Sequence, residues 1–128
     1  MSSKTFPAVA GALAYVILGA AIPLLGAGAA LAHAQLQSAS PPVGGTVDAP
    51  SQIALTFSEG VEPKFCGVTL KGAGGGVPLG KPSVAAGDTK LLIVKIGAKL
   101  APGTYTVDWR AVSVDTHHTQ GSFAFTVK

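Results

Sequence analysis

The sequence predicts an all-β domain, an antiparallel sandwich or barrel. Three observations lead there. Large apolar residues recur at every second position in several short runs, turn residues separate those runs, and nothing after residue 32 sustains a helical period. A period of two sets one face of a strand on a core and the other in water. Short runs at this spacing, with turn chemistry between them, are the pattern of a sandwich or barrel.

Pro41-Pro42-Val43-Gly44-Gly45 marks the first turn, because Pro presets φ and Gly supplies positive φ. Ile53-Ala54-Leu55-Thr56-Phe57 is the first clear strand and is closed by Gly60 and Pro63. Val68-Thr69-Leu70 is the next. The Gly74-Gly75-Gly76 tract behind it reads as a flexible surface loop; it lacks the strand-then-helix context of a phosphate cradle. Gly87-Asp88 precedes Leu92-Ile93-Val94-Lys95-Ile96, and Ala101-Pro102-Gly103 precedes Tyr105-Thr106-Val107-Asp108-Trp109. Phe123-Ala124-Phe125-Thr126-Val127 closes the chain. Trp109, Tyr105, Phe57, Phe65, Phe123 and Phe125 are expected to dominate the core by area. There is no internal repeat and no second domain.

Ahead of this domain stand Lys4 and a long uncharged apolar run, Phe6 to Ala32, ending in Ala30-Leu31-Ala32-His33. A charged start, an apolar stretch and a small-x-small site are the parts of a secretory signal peptide. The expected division is therefore 1–32 signal peptide and 33–128 mature domain. The run also has the length to span a bilayer, but Pro23 and the many Gly and Ala residues near its end favour cleavage, leaving no stable membrane insertion. Removing 32 of 128 residues leaves 96, enough for one modest core.

The mature part carries eight cations (Lys64, Lys71, Lys81, Lys90, Lys95, Lys99, Arg110 and Lys128) and six anions (Asp48, Glu59, Glu62, Asp88, Asp108 and Asp115), a net charge of +2. The lysines are scattered along the chain, without the cluster a nucleic-acid footprint needs. Cys66 is the single cysteine, so an internal disulfide is excluded. Its place in Phe65-Cys66-Gly67-Val68 favours a small buried apolar residue over a reactive thiol.

Cutting after Ala32 makes His33 the first residue, able to chelate a metal through its α-amine and its imidazole. Asp115 stands two residues before His117. On an extended strand, positions i and i+2 share a face, so these two can present an oxygen and a nitrogen to one ion. His118 is expected to point away as a solvated neighbour. A tetragonal set of nitrogen and oxygen donors suits copper(II) or nickel(II), and the affinity order favours copper(II). Structural zinc more usually recruits several Cys or His ligands in a closed tetrahedron, which this chain, with one cysteine, does not supply from thiols. Asp-x-His alone is commonly just solvated; its combination with a new N-terminal His carries the weight.

The chain resembles the CopC family of periplasmic copper-resistance proteins over essentially the whole mature part. His33-Ala34-Gln35-Leu36 is similar to that family's start, Ser40-Pro41-Pro42-Val43-Gly44 to its first turn, and Ile53 to Glu59 to its L-x-F-S-E strand end. Leu100 to Ser113 running into Asp115-Thr116-His117 resembles its most distinctive block, and Gly121-Ser122-Phe123-Ala124-Phe125 its closing strand. The resemblance implies a Greek-key β-sandwich, immunoglobulin-like or cupredoxin-like, of about seven strands. It implies one copper(II) ion per chain at one end, held by His33, Asp115 and His117, with Glu59 as an outer partner orienting the amine or a water. Some relatives carry a methionine-rich loop for copper(I). Here the mature part has no methionine and reads Gly72-Ala73-Gly74-Gly75-Gly76-Val77 in that region. Thioethers are the soft ligands that select copper(I), so a copper(II)-only protein is expected.

The implied function is a non-enzymatic periplasmic carrier or buffer of copper(II), handing the ion to an inner-membrane partner of the CopD type. A copper-dependent oxidative enzyme is the first alternative. Against it, Asp115 would fill a position that oxygen activation needs open, and one Trp and two Tyr offer no broad substrate platform. A metal-free interaction module is the second alternative.

Overall fold

The computed structural model describes Ser3 and residues 33–128; the expected signal peptide, Ser3 apart, and its cleavage junction up to Ala32 lie outside the described residues. Among these, nine strands form two sheets: β1 Leu36–Ser40, β2 Thr46–Val47, β3 Gln52–Phe57, β4 Gly67–Gly72, β5 Gly75–Val77, β6 Ser83–Ala85, β7 Asp88–Lys95, β8 Gly103–Val112 and β9 His118–Val127. The four-stranded sheet runs β1-β3-β7-β6 and the five-stranded sheet β2-β9-β8-β4-β5. All pairs are antiparallel except β2 with β9. Hairpins β4-β5, β6-β7 and β8-β9 stay within one sheet and the other connections cross between sheets, a Greek-key sandwich. No helix among the described residues is long and apolar enough to cross a membrane.

The period-two runs do what their pattern dictates. Ile53, Leu55 and Phe57 of β3, Leu92 and Val94 of β7, Tyr105, Val107 and Ala111 of β8, and Phe123, Phe125 and Val127 of β9 are buried between the sheets. Each large side chain removed from water contributes roughly 1.5–3 kcal/mol. The Tyr105 hydroxyl donates to the Ala101 carbonyl at 2.8 Å, so its polar end is satisfied. Cys66 is buried in this core, and burial pushes its thiol pKa above the ordinary value.

Three expectations are corrected. The strand count exceeds seven because β2, β5 and β6 are two or three residues long, too short to show a period. The glycine tract is only partly a loop: Gly74 lies in the tight β4-β5 turn, but Gly75–Val77 pairs with β4, Gly72 opposite Gly75 and Leu70 opposite Val77. Phe65 is not in the core. It ends a single 3₁₀ turn, Pro63–Phe65, that carries the chain over the outside of the sandwich, and it is 64% exposed. Trp109 is half-buried, edge-on to Phe57 with ring centroids 5.3 Å apart.

Candidate metal centre

Three chain segments meet at one end of the sandwich: the residues before β1, the residues after β3, and the β8-β9 turn. Leu36 pairs with Phe57, and Val112 with His118. Val61 bridges to Ser113, and the Val114 amide donates to the Gly60 carbonyl at 3.0 Å. The far end of each strand pair therefore fixes where the polar residues beyond it fall.

The segment from His33 to Gln35 is pinned at four points. The Ser58 hydroxyl donates to the His33 carbonyl at 3.1 Å and accepts from the Gln35 amide at 2.9 Å. The Ser58 amide donates to the Gln35 carbonyl at 2.8 Å. The Thr119 hydroxyl donates to the Ala34 carbonyl at 2.7 Å. Ala34 itself is fully buried as a plug. Sequence reasoning missed Ser58 and Thr119 as positioning residues. Ser58 lies inside the quoted Phe57-Ser58-Glu59 block, so a signal existed; Thr119 gave none.

The Asp115–His117 pair sits on a hairpin turn, which corrects the extended-strand argument. The Thr116 amide donates to the Ser113 carbonyl and the Ser113 amide to the His117 carbonyl, both at 2.9 Å. Thr116 takes a φ of 72°, a left-handed conformation that a β-branched residue adopts only under tertiary constraint. The reversal there brings Asp115 and His117 together: His117 Nδ1 lies 3.0 Å from Asp115 Oδ2. Buried Ser113 donates its hydroxyl to Asp115 Oδ1 and accepts from the His117 amide at 3.2 Å. The Ser113 hydrogen bond, with the His117 contacts second, pulls the Asp115 carboxyl from 3.8 down to about 2. Ser113 is a third residue that sequence reasoning did not single out for the site.

The His33 ring stands edge-on to the His117 ring, centroids 4.6 Å apart at 61°. The structure thus brings His33, His117 and Asp115 into one chain of contacts. With Nδ1 of His117 facing Asp115, Nε2 is the nitrogen left for another partner. Glu59 follows Ser58 at the same end, half-buried, and takes no part in the contacts that join the other three among the described residues. His118 opens β9 and is exposed. Among the described residues, no three His, Cys, Asp or Glu side chains form a ready-made metal cluster. The donor that would complete one is the main-chain nitrogen of His33, which is an amine only after cleavage. Two imidazoles, a carboxylate and an amine are the hard-to-borderline nitrogen and oxygen donors that suit copper(II).

Residues 36–128 match the CopC domain family. Protein YobA of Escherichia coli strain K12 is 44% identical over 99 residues, 76% of this chain and 80% of its own length. Copper resistance protein C of Escherichia coli is 40% identical over 106 residues, covering 77% and 84%. The crystal structure of PcoC, described as a methionine-rich copper resistance protein from Escherichia coli, superposes with a TM-score of 0.69 at 41% identity, over 76% of this chain and all of PcoC.

Proposed function

This chain belongs to the CopC family, and we propose that it is an exported, periplasmic copper-resistance protein that carries or buffers copper(II) without catalysing a reaction. Residues 1–32 are removed as a signal peptide, and the domain 33–128 takes up one copper(II) ion per chain. His33 supplies its amine and imidazole, His117 its imidazole and Asp115 its carboxylate. Glu59 is near enough in sequence to Ser58 to serve as an outer partner once the amine is free. Copper is cargo here, handed on to an acceptor such as an inner-membrane protein of the CopD type.

The observation that carries this reading is the meeting of His33 with the Asp115–His117 pair. These residues come from well-separated parts of the domain's sequence, His33 ahead of β1 and the Asp115–His117 pair between β8 and β9. Relatives named for copper resistance support the choice of metal. The mature part lacks the methionines named in the description of PcoC, which supports copper(II) over copper(I) as cargo.

The test is intact mass spectrometry of the exported protein, followed by competition titration against a chelator. A mass beginning at His33 and a one-copper adduct that survives the chelator are expected. His117→Ala should weaken copper(II) binding by orders of magnitude, and His33→Ala should weaken it also. Unchanged affinity in both variants would refute the site. Tight stoichiometric copper(I) binding would refute the copper(II)-only reading.

A further inference from the structure

Beside the β8-β9 turn a groove of about 600 Å³ opens on the outer face of the five-stranded sheet, and Lys64, Phe65, Arg110 and His118 line it. Thr116 and Thr119, which flank the histidine pair in the chain, form part of its wall. The groove therefore shares a rim with the candidate copper site. His118, which has no place in that site, faces this groove.

Three properties mark the groove as a surface made for a partner. First, its charge has one sign. Lys64 and Arg110 are permanent cations, and no carboxylate lines the groove among the described residues. Asp108, the next outward position on β8, borders the adjoining depression. Second, Arg110 is held ready. It pairs in register with Gly67, and a Cβ at Gly67 would come 2.5 Å from Arg110 Nε. The guanidinium side chain thus lies flat on bare backbone. A cation already set in place loses less freedom on binding. Third, Phe65 offers a large apolar anchor, 64% exposed, on the short 3₁₀ turn at the groove's edge. Phenylalanine and arginine are both enriched at protein interfaces relative to the rest of the surface.

We propose that this groove docks an acidic segment, bearing an apolar side chain for Phe65, of the protein that gives or takes the copper. The proposal rests on the carrier reading for the identity of the partner; the groove's preference for acidic segments stands on its own residues. The occupant is a protein segment rather than a membrane surface because the cations line a concavity, which a strand or loop can enter and a flat headgroup layer cannot. A groove of this size makes a small interface, and small interfaces are weak and transient. Charge complementarity gives such an encounter speed and salt sensitivity more than strength. Fast arrival and fast release beside the cargo are what a metal handover requires.

The experiment is an amide chemical-shift titration of the labelled exported protein with a short peptide alternating Asp and Glu with Leu and Phe. Shifts confined to residues around Lys64, Phe65, Arg110 and His118, weakening as salt is raised, are expected. The Lys64→Gln/Arg110→Gln double variant and Phe65→Ser should each lower peptide affinity at least about fivefold while copper(II) affinity stays unchanged. A peptide with lysine in place of each acid should leave the groove unmoved. Three results overturn the proposal: no shifts in the groove, equal binding by the double variant, or groove shifts with anionic phosphatidylglycerol vesicles but not with the peptide. Loss of copper(II) binding by the wild type would instead strike the carrier reading, which the chelator titration decides separately.

Discussion

Ser58 holds His33 in place: its hydroxyl donates to the His33 carbonyl at 3.1 Å while accepting from the Gln35 amide at 2.9 Å. One side chain just past the end of β3 thereby fixes the direction in which His33, the residue after the proposed cleavage point, leaves the sandwich. Thr119 does the same for Ala34 from the other sheet. A chelating terminus that swings freely must be ordered at the moment of binding, and ordering costs affinity.

Ser58→Ala or Thr119→Val should therefore raise the copper(II) dissociation constant roughly tenfold, as loss of a partner that orients a ligand commonly does. Stability should also fall by about 1 kcal/mol per hydrogen bond lost, two for Ser58 and one for Thr119. Ser58→Thr and Thr119→Ser keep the hydroxyl and should retain most of the affinity. Chelator competition and denaturant unfolding on the same samples separate the two effects. Wild-type affinity in both hydroxyl-free variants would show that the terminus needs no pinning.

The Asp115 carboxyl should titrate near 2 in the folded apo protein. Its folded pKa lies below its unfolded value, so its interactions favour the fold fully above pH about 4 and are lost as pH falls through about 2. Ser113→Ala removes the first cause of the depression and should move the midpoint up towards the ordinary carboxylate range. Carboxyl-carbon NMR across the acid range reads this directly; an unmoved midpoint in the variant would assign the depression to His117 instead.

Copper(II) affinity should fall as pH is lowered below the amine pKa of about 7.7–8.0, by roughly tenfold per pH unit for one competing proton. The sign follows from the amine having to lose its proton to bind. A protein with one extra residue ahead of His33 should bind far more weakly and lose this pH dependence. The same slope in the extended protein would mean that the amine is not a ligand.

Gly121→Ala should destabilise the domain by about 1–3 kcal/mol, the ordinary cost of overpacking. Gly121 pairs with Trp109, and a Cβ there would sit 2.6 Å from Trp109 Cζ2. The indole must shift, and Phe57 is packed on its edge. Trp109 fluorescence and urea unfolding measure both consequences; wild-type stability with unchanged emission would mean that the ring has room to yield.

The sandwich was legible because its long strands are one-sided. Ile53, Leu55 and Phe57, or Phe123, Phe125 and Val127, have little choice of face once a core exists. The glycine tract misled because Gly75–Val77 has no alternating side chains to announce a strand, and its pairing is bestowed by Gly72 to Leu70 opposite. Phe65 misled for the reverse reason. Apolar content predicts burial only where the backbone turns the residue inward, and the turn at Pro63 carries it outward.

By itself, the sequence determined the all-β class and the positions of the long strands, and it offered His33, Asp115, His117 and Glu59 as candidate metal-site residues. It did so because periodicity and donor chemistry are local properties of residues. Only the tertiary structure decided that the Asp115–His117 pair is made by a turn at Thr116 rather than by a strand. It alone revealed that Ser58 bonds His33, Thr119 bonds Ala34 and Ser113 bonds Asp115, and that Lys64, Phe65 and Arg110 share one groove beside them. The Ser58, Thr119 and groove relationships join residues far apart in the chain and arise from strand register, which no short stretch of sequence contains, while the Ser113–Asp115–His117 turn is local but depends on a positive φ at Thr116 that a β-branched residue does not announce.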